Sequence, residues 1–264
     1  MLSKPLFRLA IISIIIAIGI LLIFQNWKTS KANITKTTKP ATSQPVFSEE
    51  SYLLAISEEI SELGYNIETD FPLQAKLSSD SISTLIERAI NSGLVSTVAY
   101  YNDKLAEMQQ NDSLRLQAAR YLIVADRFTK EDSRGTLFLL KAKAILEKIL
   151  TNNPKNLDAK TLKGFILVRT QPVSMEGISV LQEVLSEDPN NTDALYMLGD
   201  FSIESGQFEK ALERFKKLLS LQPFNSDYNF KVSEVFSRMN IKDSADYYLK
   251  RGTEFRTKET LKGQ

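Results

Sequence analysis

The chain has no histidine and no cysteine among its 264 residues, so any chemistry must come from carboxylates, lysines and hydroxyls. Imidazole acid–base catalysis, thiol nucleophiles, disulfides and zinc thiolate sites are excluded together. The carboxylates recur in step. Asp158, Asp193 and Asp227 are separated by 35 and 34 residues, and Asp200 and Glu234 by 34. If folding brings Asp200 and Glu234 within hydrogen-bonding reach, a proton shared between them would allow acid–base work. No G-x-S-x-G nucleophile elbow and no G-x-x-x-x-G-K-S/T phosphate loop accompanies them. Asn-x-Ser/Thr matches at Asn33, Asn111 and Asn190 read as chance occurrences of a short pattern. The expectation is a protein that is not an enzyme and takes no cofactor, metal or small-molecule substrate.

The elements that carry these acids are helical. With 43% hydrophobic and 25% charged residues the chain belongs to the globular class, one or two domains in size. Beyond residue 46 no strand pattern stands out. Tyr52, Leu53, Ile56, Ile60 and Leu63 share one helical face that stops at Gly64. Ile82, Leu85, Ile86 and Ile90 share another, with Ser or Asp before it and Gly93 after it. Further helices are predicted at about 94–109, 112–128 and 136–151, and the short connections make neighbours antiparallel. From there the sequence repeats. Pro154, Pro189 and Pro223 are 35 and 34 apart, as are Gly164, Gly199 and Ser233. Ala142, Gly177, Ala211 and Ala245 are spaced 35, 34 and 34, and so are Leu146, Leu181, Phe215 and Leu249. With the three aspartates, that makes five columns in phase.

A period of 34 with these residue types resembles the tetratricopeptide repeat, a helix–turn–helix unit. The clearest copy carries Leu195, Leu198, Gly199, Gly206, Phe208, Ala211, Phe215 and Pro223 at the family's signature positions. Gly199 and Ala211 are small where two helices cross, Pro223 stops the second helix, and Asn residues after the prolines can cap the next. Phe165 departs from the pattern where the family has Gly, Gly164 lies one position early, and the turn after it is long. Local distortion of that first helix is an expectation. The resemblance implies an all-α fold, a right-handed α-solenoid of antiparallel helix pairs, with a concave groove lined by the first helix of each pair. Carried over by position, the groove residues are Thr161, Phe165, Arg169, Tyr196, Asp200, Glu204, Phe230, Glu234 and Arg238. Asp158, Asp193 and Asp227 read foremost as first-turn acids that complement the helix dipole. Tyr196 and Phe230 are read as aromatics facing the groove, with packing against each other or against a terminal helix as the alternative. Some relatives clamp a C-terminal carboxylate with Lys and Asn on these faces. Asp, Thr, Tyr and Glu stand here instead, so the implied partner is a protein or peptide with basic and apolar side chains.

The amino end has a different composition. Leu9 to Phe24 carries no charge, Lys4 and Arg8 precede it, and Trp27 follows. Sixteen residues are short beside the about 20 of a spanning helix, but Arg8 can snorkel. No small-x-small cleavage site follows, so the reading is an uncleaved anchor in an inner membrane, single-pass, with the body outside the cytoplasm. Residues 1–40 hold six basic side chains and no acid; with +1 overall, the rest carries −5. That acidic body argues against nucleic acid as a partner. The expected organisation is an anchor at 1–27, a polar stalk at 28–46, an N-terminal helical region at 47–110, and repeats at 111–260. The copies are 112–156 (degenerate), 157–191, 192–225 and 226–259. The function this implies is a membrane-tethered interaction scaffold, with envelope complex assembly as one setting. The alternatives are a self-associating spacer and a carboxylate-based enzyme.

Overall fold

The computed structural model describes residues 47–128, 132–171 and 174–262, and every regular element among them is a helix. The expected anchor and stalk lie outside the described residues. Among the described residues no helix is long and apolar enough to cross a membrane. The helices are α1 (Glu49–Glu62), α2 (Ser79–Ser92), α3 (Val95–Gln109), α4 (Asp112–Phe128), α5 (Asp132–Asn152) and α6 (Leu157–Thr170). They continue as α7 (Glu176–Glu187), α8 (Thr192–Glu204), α9 (Phe208–Leu221), α10 (Ser226–Arg238) and α11 (Lys242–Lys262). The described residues group into two compact units, divided between Leu162 and Lys163.

In the first unit, Ser48 starts α1 by accepting the Ser51 N–H at 3.0 Å, and the helix buries Tyr52, Ala55, Ile56 and Ile60. Leu63 falls just past the last helical residue and is exposed. Gly93 ends α2 in the left-handed region, at φ +73°, where an L side chain is strained. The start of α3 has no cap of its own, because Leu94 precedes it. Glu59 on α1 takes that role from across the unit. It accepts the N–H groups of Ser96 at 3.0 Å and Thr97 at 3.1 Å, and both hydroxyls at 2.7 and 3.0 Å. A carboxylate there satisfies orphan donors and complements the positive helix end. Lys141 on α5 ties three helices together. Its Nζ lies 3.2 Å from Glu49 on α1, 3.3 Å from Asp103 on α3, and 5.0 Å over the Tyr52 ring.

In the second unit the repeat columns become helix crossings. α6 and α7 meet at Gly164 and Gly177, where a Cβ on Gly177 would lie 2.7 Å from the Gly164 carbonyl oxygen and from the Val168 nitrogen. α8 and α9 meet where the Phe215 ring presses on Gly199. α10 and α11 are tied by the Ser233 hydroxyl, which donates to the Ala245 carbonyl at 2.7 Å. The same columns therefore serve three close approaches of different chemistry. α6 is a continuous helix over Leu157–Thr170 despite Phe165 and the early Gly164. Asn156, Asn191 and Asn225 cap α6, α8 and α10 by accepting the N–H three residues on, at 2.9, 3.0 and 3.1 Å. The turns inside the last two hairpins need a positive φ, supplied by Gly206 at 74° and, 34 residues later, by Asn240 at 59°. Asparagine tolerates that region better than most residues.

Candidate functional site

Each predicted groove residue has a definite place. Thr161 is buried, with its hydroxyl turned back to the Leu157 carbonyl at 2.8 Å, and Phe165 is buried as well. Of the copy at 157–191, Arg169 alone among the predicted residues is exposed. Tyr196 was read as facing the groove, yet it is 5% exposed. Its ring stands edge-on to Phe215 at 5.5 Å and tilted to Tyr228 at 6.1 Å, because α8 is flanked by α9 and α10, each of which supplies an aromatic. Burial, with Asp200 nearby, pushes the Tyr196 hydroxyl well above the usual tyrosine range. Phe230 is half-buried. It packs on Gly252 of the terminal helix α11, and the Arg256 guanidinium sits 4.6 Å from its ring centre. Glu204 and Arg238, the last residues of α8 and α10, are exposed.

Asp200 and Glu234 do come together, but a cation stands between them. Lys231 Nζ lies 2.7 Å from Asp200 Oδ1 and 3.2 Å from Glu234 Oε2. Its side chain is 15% exposed, against 11% for Asp200 and 19% for Glu234, so all three charges are mostly desolvated. Burial pulls the Lys231 pKa down, but Asp200 and then Glu234 outweigh it, and the net shift is upward. An ammonium held charged between two carboxylates removes the like-charge repulsion that a shared proton would relieve. The arrangement is an ion cluster rather than an acid–base pair. The same ammonium lies 5.7 Å over the Tyr196 ring. Asp227, read as a first-turn acid, is in contact with Arg256 of α11.

Three participants were absent from the sequence reading: Lys231, Tyr228 and Arg256. Lys231 had one visible signal, its position three residues before Glu234 on the same helix, where side chains are neighbours. Arg256 lies 29 residues beyond Asp227 and had none. Taken together, α8 and α10 offer a strip with a buried aromatic floor. On it Asp193, Asp200, Glu204, Asp227 and Glu234 outnumber Lys231 and Arg238, with Arg256 of α11 set against Asp227.

Residues 176–229, which span α7, α8, α9 and the start of α10, match the family model described as Tetratricopeptide repeat. No curated protein matches the chain. Two solved structures are similar in fold. One is a MamA double mutant of strain RS-1, 18% identical, with 69% of this chain and 96% of that one covered at a TM-score of 0.50. The other is MamA from residue 41 to its end, of Desulfovibrio magneticus RS-1. It is 19% identical, with 68% and 96% covered and the same TM-score of 0.50. Residues 176–229 thus carry a tetratricopeptide-repeat match, and the helical hairpins share the fold of these solved structures.

Proposed function

We propose that this chain is a membrane-tethered scaffold that recruits another protein by holding one of its segments against the first-helix strip of α8 and α10. The observation that carries the reading is the Asp200–Lys231–Glu234 cluster. It joins successive first helices into one surface with ordered, mostly buried charges beside exposed Glu204 and Arg238. Preorganised charge of this kind selects a partner by complementarity more than by area. The excess of carboxylates favours a partner segment with basic and apolar side chains.

Residues 1–27 act as a single-pass anchor and 28–46 as a stalk, with 47–110 as an N-terminal helical region and 111–260 as the repeats. The body lies outside the cytoplasm, at the inner membrane of a bacterial envelope. The support for the tether is the uncharged run Leu9–Phe24 between Lys4, Arg8 and Trp27. Cell fractionation tests the tether. The full chain is expected in the membrane fraction and resistant to high salt, and deletion of 1–27 should release it. A full chain that salt washes off the membrane would rule the anchor out. Recruitment is tested by cross-linking from Glu204 in the native cell.

A further inference from the structure

A second surface of the same unit has the opposite chemistry. A cleft of about 470 Å³ opens between α7 and α9, with Leu185, Pro189 and the buried Leu195 among its lining. Its polar side is Lys210, Arg214 and Lys217 on α9, with Glu213 as the acid among them. Spacing of three and four residues sets these cations on one helical face. Arg214 is half-buried, and its Nη1 donates to the Leu198 carbonyl at 3.1 Å and to the Ser202 hydroxyl. Those acceptors are neutral. Among the described residues none of the three cations makes an ion pair. Lys210 Nζ donates to the neutral Gln207 amide at 2.9 Å. Burial pulls the Arg214 pKa down, against the pull of Glu213, so the guanidinium is desolvated without a carboxylate partner.

We propose that the cleft between α7 and α9 receives an acidic, leucine-bearing segment of a partner protein, one carboxylate lying against Arg214 between Lys210 and Lys217. A guanidinium matches a carboxylate in geometry as well as charge, and it gains most where water is already displaced. The apolar lining supplies the second half of the recognition, because an isolated phosphate would leave Leu185, Pro189 and Leu195 uncovered. A recess of this size accepts side chains, whereas a flat anionic membrane reaches only its rim. The site is independent of the first-helix strip, where acids predominate and the expected segment is basic.

The full chain, purified in a non-ionic detergent, is titrated with a fluorescent peptide of alternating Glu and Leu and with its Gln–Leu counterpart. The acidic peptide is expected to bind at least about tenfold more tightly than the neutral one, with salt weakening it. The Lys210→Gln, Lys217→Gln double variant should lose roughly tenfold, as two partly screened charge contacts would. Arg214→Gln should lose more, and a melting curve on that variant separates lost binding from lost fold. Lys250→Gln, at an exposed position on α11, should leave the acidic peptide unaffected. Equal binding of both peptides, or no loss in the lysine double variant, would overturn the proposal. So would displacement of the peptide by inorganic phosphate at equal concentration, or binding to phosphatidylglycerol vesicles in place of the peptide.

Discussion

Lys231 decides how the acids of α8 and α10 behave. Replacing it with Met would leave Asp200 and Glu234 as mostly buried carboxylates without their cation. The expected loss is about 3 kcal/mol of stability, read from denaturant midpoints. Adding Asp200→Asn and Glu234→Gln to Lys231→Met should recover part of that loss, since the repelling charges go with the cation. A Lys231→Met protein as stable as the parent would mean the cluster is not formed. The pH dependence follows from the upward shift of Lys231. Its folded pKa lies above the unfolded one, so its stabilisation is complete below the ordinary lysine value and is lost as pH rises through the raised value. At this scale the sequence was informative about type and poor about partners. Spacing put Asp200 and Glu234 in matching positions one repeat apart. It could not show that the lysine one turn earlier would reach both, because that depends on how close α8 and α10 stand. Tyr196 was misplaced for a related reason. Its burial comes from Phe215 within its own hairpin and from Tyr228 on the next first helix, and the spacing of Tyr196 alone reveals neither neighbour.

The helices themselves were the most legible part, because what makes a hairpin close is written at fixed steps. Small residues at the crossings, an Asn cap after each proline, and a residue tolerant of positive φ in the tight turns all recur near 34. Gly177 shows the constraint at its sharpest. A Cβ there would meet backbone atoms of α6 on two sides, neither of which can rotate away. Gly177→Ala is therefore expected to force α6 and α7 apart and to cost about 1–3 kcal/mol, as overpacking does, even though Ala is the better helix former. A thermal melt decides it: a rise in Tm would mean the crossing is looser than the geometry indicates. Glu59 marks the limit of legibility. It caps α3 from 37 residues away, and no local pattern around Ser96 announces that the cap will come from another helix.

At the scale of the whole molecule, the function proposed above has the basic and apolar amino end hold the protein at a membrane while the acidic body offers its helices to a partner. Among the described residues the paired acids Asp200 and Glu234 are bridged by Lys231, and the sequence holds no imidazole or thiol. The second unit carries two faces of opposite character, the strip on α8 and α10 and the cleft between α7 and α9. The most direct test of the scaffold reading is photo-cross-linking in the native cell, with the reactive group at exposed Glu204 and a control at exposed Lys250 on α11. Capture of one discrete protein from Glu204, absent from Lys250 and lost when Glu234 is changed to Lys, is the predicted result. Identical adducts from both positions, or none from Glu204, would contradict it.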